Sequence, residues 1–307
     1  MQTYLIDLNI NSGFITPWHA DTIFGHLCWV AERHTGFENF KGAAGLIDLY
    51  RKGEPPFIVS DAFPDGFLPA PANLKELFAG TFAEGLTIDK YSALKKVKET
   101  EYITIDQLQS YQRGTIFDFK DFKKPFALAV TLHNQINRMS NTTGEHGSLF
   151  ELDEKYVKAG KLNVYVKISD GFKNDVIRLF DLFAAGGFGK KKSSGKGAFK
   201  INRFEECGIF EGIDSPNGFV CLSHFIPAPH DPAEGFYKTT VKYGKMGEEK
   251  SLGGNPFKKP LLMIKPGAVF KTDTVKSFYG RLMENIAYSD ASVVQYGFAF
   301  PVPVKIS

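Results

Sequence analysis

The sequence predicts an α+β fold, and three observations support this. Apolar residues alternate with polar ones over 4–10, which is typical of a half-buried strand, and apolar residues at helical spacing follow over 20–33. At 307 residues the chain is long enough for about two domains. Hydrophobic residues make up 43% and charged residues 23%, as in soluble globular proteins, so disordered and collagen-like structures are excluded.

The first 210 residues predict six core elements in the order β-α-β-β-α-β. After the first strand and helix, five prolines interrupt the region of about 40–120, which we interpret as an irregular insertion. The unbroken apolar run FALAVTLH (126–133) predicts a central strand. The remaining strand, helix and strand are predicted at 162–168, 174–185 and 199–204. This order is that of a ferredoxin-like, or split βαβ, domain.

Two further segments define the predicted domain organisation. Residues 134–148 are polar, with Asn, Thr and Gly at their centre, and predict a protruding hairpin at about 133–150. The turn-forming stretch EGIDSPNG (211–218) marks a boundary. We therefore predict an N-terminal domain at 1–210 and a strand-rich C-terminal domain at 211–307.

The glycine-rich loop GGFGKKKSSGKG (186–197) is the most informative segment. Residues 186–200 contain five lysines, five glycines and no acidic residue. The segment is not a P-loop, because five residues separate Gly189 from Gly195, Gly197 follows Lys196, and a predicted helix precedes it. Its amides, hydroxyls and ammonium groups suit phosphate oxygens, whereas the alternative is a flexible, solvated basic loop. The candidate contacts are Gly187, Phe188, Gly189, Lys190, Lys191, Lys192, Ser193, Ser194, Gly195, Lys196 and Gly197.

Polar residues at two other places are further candidates. His19 precedes the first helix, for which Asp21 is the predicted N-cap, so His19 is a surface residue, a phosphate contact or a catalytic group. His133, Asn134 and Arg138 lie where a strand enters the predicted hairpin, and they either bond loop carbonyls or contact RNA. The sequence contains no GxSxG, HExxH or EF-hand motif, so we expect no catalytic residue, no metal ion and no cofactor.

Charge and cysteine content limit the remaining alternatives. The net charge of +3 is too small for the whole chain to be a nucleic-acid footprint, so any such surface must be local. Cys28, Cys207 and Cys221 form no CxxC pair, as expected in a reducing compartment. No apolar run approaches the roughly 20 residues of a membrane span. We expect a cytoplasmic protein with no membrane contact.

Several motifs together resemble a known family. PWHADTIFGHL (17–27), SDAFPDGFLPAP (60–71), the segment 133–151 and the glycine-rich loop are similar to the RAMP superfamily of CRISPR proteins. Within it, the chain most resembles the subunit that caps the 5′ end of the guide RNA in type III-A (Csm) effector complexes. The resemblance covers nearly the whole chain.

The resemblance implies a fold, a ligand and partners. It implies two ferredoxin-like domains, a thumb hairpin and binding of the repeat-derived 5′ handle of the CRISPR RNA by residues 187–197, His133, Asn134, Arg138 and His19. It also implies docking against the large palm-domain subunit and a backbone subunit. Backbone subunits cut target RNA with an aspartate near the first helix, but Asp21 lies within a different motif, so this activity is not transferred. The alternative within the superfamily is a metal-independent endoribonuclease that processes precursor CRISPR RNA with His19, His26 or His133.

Overall fold

The computed structural model describes residues 1–81, 95–115, 124–134, 136–143, 149–251 and 255–306. Residues 95–99 are also helical, in addition to five helices with defined ends. These helices are α1 (Ala20–Arg33), α2 (Gly42–Arg51), α3 (Leu74–Thr81), α4 (Ile105–Gln112) and α5 (Lys173–Gly186). None of the helices in these parts of the chain combines the length and the apolar composition needed to span a membrane.

The strands form two four-stranded sheets and several two-stranded ones. In chain order they are β1 (Gln2–Ile10), β2 (Phe57–Pro64), β3 (Phe67–Pro69), β4 (Tyr102–Thr104), β5 (Phe126–Asn134), β6 (Ile136–Asn137), β7 (Thr142–Thr143), β8 (Leu149–Val157), β9 (Lys161–Ile168), β10 (Phe199–Glu206), β11 (Gly218–Cys221), β12 (Gly235–Phe236), β13 (Thr239–Lys242), β14 (Leu261–Ile264), β15 (Val269–Lys271), β16 (Tyr279–Gly280), β17 (Phe298–Ala299) and β18 (Pro301–Val304).

The N-terminal sheet has the order β10-β1-β9-β2, and all its strand pairs are antiparallel. α1 connects β1 to β2, and α5 connects β9 to β10, so its elements follow the order β-α-β-β-α-β along the chain. Ile6 and Leu8 of β1 are buried beside Val164 and Val166 of β9. The alternation that predicts β1 therefore places one face of this strand in the core.

The predicted insertion at about 40–120 is wrong in one important respect, because it contains the core strand β2. Residues 57–59 of β2 pair with β9, and the register shifts between Val59 and Ala62. Ser60 and Asp61 interrupt the apolar pattern at this shift, and prolines flank the strand, which is why the sequence pattern is not that of a core strand. Both polar side chains are buried and hydrogen-bonded.

The predicted central strand at 126–133 is also wrong. Residues 126–134 form β5, which pairs only with β8, through nine consecutive residue pairs. Leu128 and Leu132 are 75% and 65% exposed, so the apolar run lies on a projecting hairpin and not in the core. The β5–β8 hairpin spans 126–157 and is longer than the predicted 133–150, of which Gln135 and 144–148 lie outside the described residues.

The C-terminal sheet has the order β12-β15-β11-β18. The described residues of 211–306 contain no α-helix, so the two helices that a second ferredoxin-like domain requires are not present there. The predicted boundary at 211 falls between the two sheets, but one core crosses it. Val220, Phe300 and Val302 belong to the same buried cluster as Ile6 and Val164.

The edge of β2 is covered by the C-terminal part of the chain. The Asp61 amide donates to the Leu222 carbonyl at 2.9 Å, and the Val59 amide donates to the Tyr296 hydroxyl at 3.1 Å. These bonds satisfy edge amides that an isolated N-terminal sheet would leave open.

Candidate nucleic-acid interface

The glycine-rich loop packs on the β1–α1 connection through its backbone. Gly197 donates its amide to the Gly13 carbonyl at 2.9 Å, and the Lys190 amide donates to Thr16 Oγ1 at 2.9 Å. An added Cβ at Gly197 would lie 2.0 Å from the Phe188 carbonyl oxygen, and Gly197 also has φ of +66°. Gly197 is therefore a structural glycine that closes the loop.

Phe188 anchors this loop in the core. Its ring is fully buried and stacks on Trp18, with 3.8 Å between the ring centroids. A base cannot stack on this ring, so the predicted contact between Phe188 and RNA is not available in this arrangement. Phe188 instead fixes the position of the residues around it.

The exposed part of the loop is Lys190, Lys191 and 193–195. Lys191 and Gly195 have φ of +65° and +81°, and they flank a single 3₁₀ turn at Lys192–Ser194. The amides of Lys191, Lys192 and Ser193 have no hydrogen-bond acceptor among the described residues. This short segment thus presents two ammonium groups, two hydroxyls and unpaired amides to solvent, which are the groups that bind phosphate oxygens.

Lys196 ties the loop to the β5–β8 hairpin. Its ammonium group lies 2.7 Å from Oε1 of Glu154, whose side chain is fully buried. Thr131 Oγ1 and the Tyr156 hydroxyl also donate to this carboxylate, at 2.5 and 2.8 Å. The Lys196 ammonium and the two hydroxyls hold the pKa of Glu154 at about 2. The loop contains no acidic residue, but the hairpin supplies Glu154 as the partner of Lys196. Lys196 is therefore not free to bind phosphate.

Lys192 is also paired, in this case with the C-terminal part of the chain. Glu248 accepts from Lys192 Nζ at 2.5 Å and from Arg33 Nη2 at 3.0 Å, and Glu249 accepts from the same guanidinium at 2.8 Å. The Lys192 and Arg33 side chains lower the pKa of Glu248. Two carboxylates of the chain therefore occupy an anion site that Lys192 and Arg33 form.

The hairpin candidates fall into two groups. The His133 ring stacks on Phe150, with centroids 5.6 Å apart, and Lys191 Nζ lies 5.9 Å from the centroid of the same Phe150 ring. His133 thus belongs to one surface with the glycine-rich loop. Asn134 is exposed beside it at the end of β5, whereas Arg138 lies exposed in the turn between β6 and β7, nearer the tip of the hairpin.

His26 positions the loop, although the sequence pattern shows only a histidine seven residues after His19. Its Nε2 accepts the Gly189 amide at 3.0 Å, and its ring packs on Phe183 and Phe188. Burial, with a smaller contribution from Lys192, lowers the pKa of His26 to about 4, so the ring is neutral and can accept this bond. The spacing along α1 identifies neither the acceptor role nor the partner.

His19 lies in a separate cluster with two residues that the sequence analysis does not single out, Asp61 and His224. Asp61 Oδ1 accepts the amides of Ala20 and His224, and Oδ2 accepts from His224 Nδ1 at 2.6 Å. The His19 ring stacks on the His224 ring at 3.9 Å. Burial lowers the pKa of His19 to about 4, although the negative charge of Asp61 opposes this shift. Asp61 therefore fastens the start of α1 to the C-terminal sheet.

His19, Asp61 and His224 are the described residues that could together hold a metal ion. Their ligand atoms lie within 4.8 Å of one another. The two imidazole planes differ by 27° and stack at 3.9 Å, so their in-plane lone pairs lie in two separate, nearly parallel planes. A metal ion would require one ring to rotate. As it stands, the cluster is a hydrogen-bonded connection between the start of α1 and the C-terminal part of the chain.

Asp21 is not the N-cap of α1, contrary to the prediction. His19 occupies that position without a side-chain cap, and Asp21 is buried. Lys242 and Gln295 both donate to the Asp21 carboxylate. Asp21 therefore compensates a partly buried lysine of the C-terminal part, which the local sequence around α1 does not reveal.

Comparison with solved structures gives full-length matches. The Csm4 chain of a crystal structure of a Csm1–Csm4 cassette in complex with pppApA matches with a TM-score of 0.64 and 16% identity, covering 99% of each chain. The cassette in complex with AMPPNP gives 0.63 and 17%, with the same coverage. A Csm3–Csm4 subcomplex of the type III-A CRISPR–Cas interference complex gives 0.57 and 14%, covering 100% of each chain. No family model and no curated protein sequence matches the chain.

These likenesses define the class of fold. The chain shares its fold with chains of the Csm1–Csm4 and Csm3–Csm4 structures. More particularly, it has the fold of Csm4 over its whole length.

Proposed function

We propose that the chain is a non-catalytic, RNA-binding subunit of a type III-A CRISPR effector complex. In this proposal it holds the repeat-derived 5′ handle of the guide RNA and links the large subunit to the backbone subunits, in the cytoplasm and for antiviral defence. The full-length match to the Csm4 fold supports the assembly role, since the matched chains were crystallised with Csm1 or Csm3. In this proposal the β5–β8 hairpin is the thumb.

One observation carries the RNA-binding part of the proposal. Lys190, Lys191, the unpaired amides of 191–193 and the hydroxyls of 193–194 form one surface with His133 and Phe150 at the hairpin. This surface offers donors and charge for phosphates and an aromatic pair for an unstacked base, the combination that single-stranded RNA requires. Phe188 and Gly197 support the surface from below and do not contact RNA in the proposal.

The experiment is to identify the nucleic acid that co-purifies with the full chain and its partner subunits. A CRISPR RNA with a uniform repeat-derived 5′ end, released by replacing Lys190 and Lys191 with Gln, supports the proposal. Heterogeneous RNA, or a uniform 5′ end that the replacement does not affect, contradicts handle binding at this loop.

A second candidate function is a metal-independent endoribonuclease, which the Asp61–His224 pair favours. Asp61 Oδ2 lies 2.6 Å from His224 Nδ1, a carboxylate–imidazole pair of the kind that orients a general base, and burial keeps the adjacent His19 ring neutral. Single-turnover assays with the protein in excess over labelled precursor RNA separate the candidates. We expect no cleavage, with or without divalent ions. Site-specific cleavage that His224→Gln abolishes would support the nuclease.

A further inference from the structure

An exposed strand face in the C-terminal part carries aromatic and basic side chains together. Exposure alternates strictly along 239–246, where residues 239, 241, 243 and 245 are exposed and their neighbours are covered. Val241 lies opposite Leu262 across the β13–β14 pair. Tyr243, Phe257 and Tyr288 are 77%, 59% and 64% exposed.

The strand register places these side chains on one side. Lys258 donates its amide to the Gly244 carbonyl and forms a bridge with Ala287, and these three residues are covered. Because side chains alternate between the faces of a strand, the residues that flank Gly244 and Lys258 point outward. Tyr288 is exposed after Ala287, whereas Ile286 before it is buried. We call the resulting set the C-terminal strand face, and its members are Val241, Tyr243, Lys245, Phe257, Lys259 and Tyr288.

The charge on this face has one sign. Lys245 and Lys259 have no carboxylate partner among the described residues, and Lys259 Nζ lies 5.7 Å from the Tyr288 ring centroid. The nearest acids along the chain point elsewhere, since Glu248 pairs with Lys192 and Asp290 with Lys250 at 2.7 Å. Exposed rings between unpaired cations are complementary to a strand with planar bases and a negative backbone.

We infer that the C-terminal strand face is a second binding surface for single-stranded RNA, with bases stacked on Tyr243, Phe257 and Tyr288. This inference rests on the proposed function, because it assumes that RNA is the ligand of the chain. The chain connects the face to the glycine-rich loop, since Glu248, three residues after Lys245, accepts from Lys192. The extended segment 239–245, which begins with β13, spans about 20 Å, so in this inference the contact lengthens the RNA path beyond the loop.

The first test compares an aromatic with an aliphatic replacement in the full chain. Fluorescence anisotropy with an unstructured RNA of about 20 nucleotides gives the affinity, since single-strand sites cover roughly 4–16 nucleotides. The double change Tyr243→Leu and Phe257→Leu should weaken binding about tenfold or more, because base stacking on one ring contributes roughly 5- to 100-fold. Tyr243→Phe keeps the ring and should bind like the unaltered chain. If the face instead docks a protein, the Leu and Phe variants should bind RNA with the same affinity.

The second test uses the lysines and the unaltered chain. Lys245→Gln with Lys259→Gln should reduce the salt slope of binding by about 1.4, the contribution of two phosphate contacts to a single strand. Ultraviolet crosslinking of the unaltered chain to the same RNA should label peptides that contain Tyr243, Phe257 or Tyr288, whatever the stability of the variants.

Three outcomes overturn the inference. Unchanged affinity in the Leu variant, with no crosslink on the face, shows that RNA does not bind there. In that case the proposed function still holds if the Lys190 and Lys191 variant loses RNA binding. Loss of partner-subunit assembly in the Leu variant, with normal RNA affinity, makes the face a protein interface. Absence of RNA binding by the unaltered chain contradicts the proposed function itself and the inference with it.

Discussion

The Lys196 ammonium group lies 2.7 Å from the buried Glu154 carboxylate, and this pair joins the glycine-rich loop to the β5–β8 hairpin. Glu154 and Lys196 are 42 residues apart in the chain, and β9 and α5 lie between them. Because Lys196 also adjoins the structural Gly197, the pair fixes the exposed loop residues relative to His133 and Phe150. It is therefore a positioning contact for the proposed RNA surface.

Lys196→Met should destabilise the fold by about 3 kcal/mol, because it leaves the carboxylate of Glu154 buried without its cation. The double variant Lys196→Met with Glu154→Gln should recover most of this loss, since it leaves no buried charge. Urea denaturation of both single variants and the double variant measures the coupling. Additive effects of the two changes would show that the pair does not couple the loop to the hairpin.

Replacing Lys190 and Lys191 with Gln should lower the salt slope of RNA binding by about 1.4, as expected for two phosphate contacts on a single strand. Lys192→Gln should lower it by less than about 0.7, because Glu248 already neutralises this ammonium group. Lys200, an exposed lysine of β10, is the matched control, and Lys200→Gln should not change the slope. Equal salt slopes in all variants would show that these lysines do not contact phosphate and that the loop is only solvated.

Glu248→Gln should increase RNA affinity about two- to fivefold, since the carboxylate competes with phosphate for Lys192 and Arg33. Partly exposed ion pairs contribute roughly 0.2–1 kcal/mol, which sets this range. Glu249→Gln is the comparison and should raise affinity less, because Glu249 binds Arg33 but not Lys192. Weaker binding in Glu248→Gln, measured by anisotropy, would instead give Glu248 a supporting role.

Gly197→Ala should be much more disruptive than Gly195→Ala, although both glycines have positive φ. A Cβ at Gly197 meets a backbone carbonyl at 2.0 Å, whereas nothing lies within 4 Å of a Cβ at Gly195. Strain from positive φ alone costs about 1 kcal/mol, so the Gly195 variant should remain folded. Thermal unfolding of both variants checks the difference, and similar losses of stability would contradict it.

Stability should fall below pH 6.5 partly because of His26. Its pKa in the folded chain, about 4, is lower than the usual 6.5, so its stabilisation is complete above pH 6.5 and is lost as the pH falls towards 4. Each such histidine contributes about 1.4 kcal/mol per pH unit in that window. His26→Gln keeps an acceptor for the Gly189 amide and should reduce the slope by one proton, as measured by urea denaturation against pH. An unchanged slope would show that His26 does not titrate in this way.

The sequence predicts those parts of the fold whose signal is local. Alternation in β1 and β9 and helical spacing in α1 identify three elements of the N-terminal sheet and its cover. β2 has no such signal, because its register shift at Ser60 and Asp61 replaces apolar residues with polar ones whose partners, Ala20 and His224, are distant in the chain. β5 is the opposite case. Its apolar run predicts a buried strand, but Leu128 and Leu132 are exposed because the strand lies on a projecting hairpin.

The candidate site shows the same limit. The composition of 186–197 identifies the exposed phosphate-binding groups, and a glycine-rich, basic loop is visible without a structure. The sequence does not show that Glu154 and Glu248 neutralise Lys196 and Lys192, because both acids lie far from the loop along the chain. Nor does it separate the buried Phe188 from its exposed neighbours, since burial depends on Trp18 across the fold.

The covered edge of β2 has a consequence for biosynthesis. Leu222 and Tyr296, which accept hydrogen bonds from the Asp61 and Val59 amides at this edge, are synthesised long after β2 itself. While the ribosome is still translating the last hundred residues, the nascent chain exposes this edge and the apolar surface that Val302 and Val304 later cover. The N-terminal sheet therefore cannot reach its final stability until the C-terminal strand has left the exit tunnel, and a chain that terminates early should be a substrate for chaperones and proteases.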